Sequence, residues 1–152
     1  MTMKLASPAF PPGGKMPGRF TCEGEDVSPP LVWSGAPAGT RSFALVCSDA
    51  DAPGGVWHHW AVFDIPSAAA ALAEHHPRDG ALPRQALNDF GKPGYGGPCP
   101  PRGHGRHHYR FRLYALDIDR LEFPATPRSR EVEAAAAEHA IATADLVGVY
   151  SR

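Results

Sequence analysis

At 152 residues, the chain is long enough for one domain to bury about two thirds of its unfolded surface, and a single domain over 1–152 is expected. Apolar residues at 43%, charged residues at 20% and a net charge of -1 describe an ordinary globular protein and leave no long-range field to draw in nucleic acid or an anionic membrane. Arg102, Arg106, Arg110 and Arg112 are interleaved with histidines and strand residues and make a weak basic patch, so no nucleic-acid partner is expected.

Sixteen glycines and 17 prolines, spread along the chain, point to many turns and a mostly-β architecture. The N-terminal Met1-Thr2-Met3-Lys4-Leu5-Ala6 lacks the apolar core of a signal peptide, and no stretch approaches a membrane span. A cytoplasmic protein without membrane insertion is the expectation. Residues 7–18 read as an irregular opening segment. Arg19-Phe20-Thr21-Cys22 and Leu31-Val32-Trp33 read as short strands with turns after each.

Arg41 to Ser48 is the first clear strand. Phe43, Leu45 and Cys47 alternate with Ala44 and Val46, so both faces are apolar and the strand belongs between two packed layers. His59 to Ile65 is a second core strand, stopped by Pro66. Ser67 to Glu74 has strong helix propensity and a serine for its cap, so a short helix is expected there. From His107 to Asp117 the alternation is clean. Tyr109, Phe111, Leu113 and Ala115 share one face, and His108, Arg110 and Arg112 share the other. Thr126-Pro127 and Ser129 are candidate starts for a helix from Arg130 to about Ala140, and Ala144 to Tyr150 reads as a last strand.

The chemistry concentrates in two stretches, each a Pro/Gly-rich loop running into a His-His pair and an aromatic. The first runs from Asp49 to Trp60 and the second from Gly94 to Tyr109; together they hold His58, His59, His104, His107 and His108 of the chain's 8 histidines. Asp49 and Asp51, just beyond a buried strand, can point together into a pocket mouth, or can simply bond local amides of a turn. A return of the chain after this loop brings Asp49 near His59. Strand alternation sends His58 and His59 to opposite faces, and likewise His107 and His108. His59 and His107 are therefore taken as inward, His58 and His108 as rim or surface.

Asp49, Asp51, His59 and His107 are ligand types for zinc or iron, but no His-x-His or His-Glu-x-x-His spacing supports a metal site, and none is expected. No Gly-x-Ser-x-Gly elbow is present. Cys22, Cys47 and Cys99 are widely spaced without a Cys-x-x-Cys pair, so neither a disulfide framework nor a thiolate zinc site is expected, and Cys99 reads as an incidental small residue between prolines.

Together these residues resemble a known family. Asp49-Ala50-Asp51-Ala52-Pro53 with His59-Trp60 is similar to the Asp-Pro-Asp-x-Pro…His-Trp motif of the phosphatidylethanolamine-binding proteins. Gly97-Pro98-Cys99-Pro100-Pro101-Arg102-Gly103 with His107-His108-Tyr109 resembles that family's second motif, Gly-Pro-x-Pro-Pro-x-Gly…His-Arg-Tyr. Thr21-Cys22-Glu23-Gly24, Ser28-Pro29-Pro30-Leu31 and Pro37-Ala38-Gly39-Thr40 resemble its bacterial Raf-kinase-inhibitor-like branch. Ala50 stands in place of the first motif's inner proline and His108 in place of the second motif's arginine.

The resemblance implies an antiparallel, Greek-key-type β-sandwich with a C-terminal helix. It also implies a small pocket for phosphate or a phosphorylated headgroup, lined by Asp49, Asp51, His59, Pro98, His107 and Tyr109, with no cofactor. A kinase or protease partner and a homodimer are further implications of the family. A binding protein is thus favoured over the alternative, a metal-assisted or His/Asp-dependent hydrolase.

Overall fold

The computed structural model describes residues 2–78 and 82–152. Its elements in chain order are strands β1 (Lys4–Ala6), β2 (Leu31–Ser34), β3 (Ser42–Asp49), β4 (Trp57–Pro66), β5 (Ala71–Leu72), β6 (Arg84–Gln85) and β7 (His107–Leu116), then helix α1 (Ser129–His139) and strand β8 (Ala140–Tyr150). They form a three-stranded sheet in the order β1-β2-β5 and a five-stranded sheet in the order β6-β4-β3-β7-β8, every pairing antiparallel. The result is the expected sandwich with a C-terminal helix.

Strand β3 is buried along its whole length because each of its faces meets a separate core. On the face toward the small sheet, Phe43, Leu45 and Cys47 pack with Leu31, Trp60, Phe111 and Leu113. On the opposite face, Ala44 and Val46 pack with Phe63, Tyr114 and the Val132 and Ala136 stripe of α1. Burial on both faces is what an apolar strand of this kind requires. In β7, Tyr109, Phe111 and Leu113 are buried while His108 is exposed, as the alternation predicts.

Three local readings are corrected. Gly18–Phe20 is a 3-10 turn rather than part of a strand. Residues 67–74 form no helix; Ala71–Leu72 pairs with β2, and Leu72 is buried. The alanine run lacks an apolar stripe to anchor a helix, and one leucine satisfies the small sheet instead. Helix α1 begins at Ser129, whose hydroxyl donates to the Leu87 carbonyl, while Glu131 accepts from the Arg128 amide at 2.9 Å. Strand β8 follows α1 directly and starts at Ala140, four residues earlier than expected.

His58 is also corrected: it is 7% exposed, not a rim residue. Its Nε2 lies 3.0 Å from Glu133 of α1 and its amide donates to Asp89 Oδ2 at 2.7 Å. The Glu133 carboxylate, aided by Asp89, raises the His58 pKa against the opposing cost of burial. His58 in turn lowers that of Glu133. A raised histidine stabilises the fold below its unfolded value of 6.5 and loses that contribution as pH climbs through the raised value. A lowered glutamate stabilises above its unfolded value of 4.5 and loses it as pH falls. The pair therefore clamps α1 to the sheet between those limits. Glu133→Gln is expected to lower unfolding free energy by about 1–2 kcal/mol near pH 6 and to flatten the stability profile above pH 6.5, which denaturant melts across pH will show.

Candidate functional site

At one end of the sandwich, β3, β4 and β7 deliver Asp49, His59, His107 and Tyr109 to a cavity of about 280 Å³. Asp49 is the last residue of β3 and stands opposite Tyr109 of β7 and Trp57 of β4. Its Oδ1 accepts the Asp51 amide at 2.8 Å, so the Asp-x-Asp segment is indeed a side-chain-stabilised turn. Its Oδ2 accepts from His107 Nδ1 at 2.6 Å, and both side chains are nearly sealed from solvent.

A β-bulge sets the histidines of β4. Cys47 stands opposite Trp60 but Ser48 stands opposite His58, so His59 is an extra residue in its strand. Regular alternation from the core residue Trp60 would turn His59 toward the helix and His58 toward the sandwich. The inserted residue reverses both, an effect bulges have beside functional sites. His59 then packs edge-on against Tyr109, with ring centroids 5.3 Å apart, and against Phe90 at 5.6 Å.

The protonation pattern follows from the partners. His59 Nδ1 donates to the Gly96 carbonyl at 2.6 Å, which makes its Nε2 an acceptor whenever the ring is neutral. Burial lowers its pKa, so the neutral ring prevails near pH 7. His107 donates from Nδ1 to Asp49. Its Nε2 lies 2.6 Å from Nδ1 of His104, so one proton is shared between the two rings. Tyr109 is nearly buried, and burial together with the Asp49 charge pushes its pKa well above the ordinary phenol value. Its hydroxyl stays protonated and can donate. Trp57 also lines the cavity, and its indole N–H is buried without a hydrogen-bond partner. The remaining walls, among them Phe90, Pro53, Pro100 and Pro101, are apolar.

Of the expected residues, Asp49, His59, His107 and Tyr109 thus come together. Asp51 turns away, its Oδ2 accepting from the His108 amide and lying 2.9 Å from the His108 ring on the other face of the sheet. Pro98 is buried behind the wall, with its carbonyl accepting the Cys22 amide at 3.1 Å; the next two prolines supply the lining. Trp57, Phe90 and His104 were not singled out from the sequence. For His104 a signal existed, three residues before His107 in the same loop. Among the described residues, no three His, Cys, Asp or Glu side chains converge as a metal-holding group.

Cys99 is a further correction. It forms a disulfide with Cys22, Cα to Cα 5.4 Å across a separation of 77 residues, and it lines the cavity. Such a long-range pair leaves no spacing signature in the chain. Cys47 is the free thiol, buried in the core.

The sequence model of the phosphatidylethanolamine-binding protein family matches residues 6–151. A UPF0098 protein of Aquifex aeolicus is 42% identical over 99% of this chain and 89% of its own length. LppC of Mycobacterium tuberculosis, provisionally named a lipoprotein, is 40% identical over 97% of this chain and 72% of its own. The crystal structure of Escherichia coli YbcL, described as a new member of the mammalian PEBP family, superposes with a TM-score of 0.92 at 36% identity, covering 100% of this chain and 99% of the other. No helix of the described residues is long and apolar enough to cross a membrane. The chain therefore belongs to the phosphatidylethanolamine-binding protein family.

Proposed function

We propose that this protein, acting as one domain, binds a small phosphorylated ligand in the Asp49–His59–His107–Tyr109 cavity, taking the phosphate in its protonated, singly charged form. The observation that supports this most is the orientation of the two imidazoles. With both Nδ1 protons committed, to Gly96 and to Asp49, neutral His59 offers a lone pair and His107 shares its remaining nitrogen with His104. Among the described residues, no lysine or arginine lines the cavity. A doubly charged phosphate would meet the Asp49 carboxylate and an imidazole lone pair with little to offset them. A monoanion can donate its P–OH to such acceptors and accept from the Tyr109 hydroxyl and the Trp57 indole.

At about 280 Å³ the cavity lies at the small end of ligand pockets, suited to a headgroup or phosphomonoester and not to acyl chains. Catalysis has less support. Among the described residues, no serine, threonine or free thiol lines the cavity, since its one cysteine, Cys99, is bridged. A kinase or protease partner and a homodimer enter this reading from the family resemblance, while the pocket geometry supports its small-ligand part. A bridge between exposed cysteines persists best in oxidising surroundings. It favours an extracytoplasmic setting over the cytoplasm expected from the N-terminus, and the provisional lipoprotein name of the mycobacterial relative points the same way.

Two outcomes are expected. Titration calorimetry with phosphoethanolamine should show affinity falling about tenfold or more from pH 5.5 to pH 8, as the phosphate loses its second proton near pH 6. Equal affinity at both values would contradict the proposal. Tyr109→Phe keeps the ring and removes one donor, and should weaken binding at pH 5.5 by roughly tenfold, the worth of one hydrogen bond.

A further inference from the structure

The loop that supplies the proline wall of the cavity is secured in two unlike ways. Its first part is held to the N-terminal segment by hydrogen bonds. The Tyr95 hydroxyl donates to the Phe20 carbonyl at 2.6 Å, the Gly97 amide to Asp26 Oδ1 at 2.8 Å, and the Cys22 amide to the Pro98 carbonyl at 3.1 Å. Beyond Pro98 these ties end. The next is the Cys22–Cys99 bridge. After it, among the described residues, the loop is held from outside by Arg152, whose guanidinium donates to the Pro100 carbonyl at 2.7 Å and whose own carbonyl accepts the Gly103 amide at 3.2 Å, and by the His104–His107 contact.

Both bridged cysteines are exposed, so a thiol can reach them. The bridge is the covalent tie next to Pro100 and Pro101, which line the cavity, and His104 follows in the same loop. By contrast, Asp49, His59 and His107 sit on β3, β4 and β7, whose pairing does not involve it.

We propose that Cys22–Cys99 is a thiol-exchange site that gates this pocket: opening the bridge frees the Pro100–His104 wall and weakens ligand binding while both sheets stay folded. The inference rests on the anion-binding reading for its functional readout. In chemical terms, a thiolate of a dithiol attacks one bridge sulfur. The Cys22–Cys99 bond breaks, a mixed disulfide forms, and the other cysteine leaves as a thiolate that takes a proton. The second thiol of the reagent then displaces the first cysteine. Two electrons pass from the dithiol to the bridge, giving two protein thiols and the oxidised, cyclic reagent. Cys47 does not compete, because it is buried in the core and burial pushes its thiol far above the ordinary value.

The test uses the full chain, oxidised and after dithiothreitol, with the double variant Cys22→Ser and Cys99→Ser as a reductant-free counterpart. Thiol labelling of the native reduced protein should find two reactive cysteines, with Cys47 appearing only in denaturant. Calorimetry with inorganic phosphate at pH 5.5 should show about tenfold weaker binding without the bridge, on the order of the cost of re-ordering one or two loop residues. Hydrogen exchange should accelerate at residues 102–106 and stay unchanged in β3 and β7. Three results would overturn the proposal: a bridge that resists dithiothreitol in the folded protein, unchanged affinity and exchange once it is open, or exchange rising equally through β3 and β7. If the oxidised chain binds neither phosphate nor phosphoethanolamine, the functional reading fails by itself. The exchange at 102–106 then decides the gate alone.

Discussion

The site depends on one buried carboxylate. Asp49 ends the central strand, and its two oxygens are spent on different tasks: one accepts the Asp51 amide and shapes the turn, the other holds His107 at 2.6 Å. A carboxylate in such a place is costly unless its lone pairs are used. Using them fixes the His107 tautomer, and that in turn sets what His104 can do. Removing the Asp49 side chain would therefore alter the turn, the ring and the loop together.

The second constraint is the position of β3 between two cores. Because its residues are buried toward both the small sheet and α1, its end is rigid, and the polar groups there are held by packing rather than by loops. The same double burial separates two histidine systems. On one face His59 and His107 line a cavity; on the other His58 binds Glu133 and helps hold the helix. Adjacent residues thus take unrelated surroundings, one in the cavity wall and one against the helix.

Much of this was legible in the chain. The apolar faces of β3 and the alternation of β7 are patterns of the kind side-chain geometry imposes, and the helix was marked by its start signals and Ala/Glu-rich composition. The two loop motifs marked the neighbourhood of the site. What escaped has particular causes. The bulge at His59 adds one residue to β4, and no periodicity announces it, although it decides which face each histidine takes. Phe90 reaches the cavity from a turn distant in sequence, through contacts with Trp57 and His59. The Cys22–Cys99 pairing joins residues 77 apart, where spacing carries no information. Asp51 was grouped with Asp49 because both follow the same strand, yet the turn that Asp49 caps sends it to His108 on the opposite face.

The chemistry of the cavity turns on one protonation pattern: Nδ1–H on both pocket histidines, with His59 neutral. Long-range nitrogen–proton NMR of the imidazoles in the ligand-free protein at pH 7 reads this directly. The expected result is a neutral His59 ring with its proton on Nδ1 and a bare Nε2, and a protonated Nδ1 on His107. A His59 ring protonated at Nε2, or a doubly protonated His59 at that pH, would contradict it.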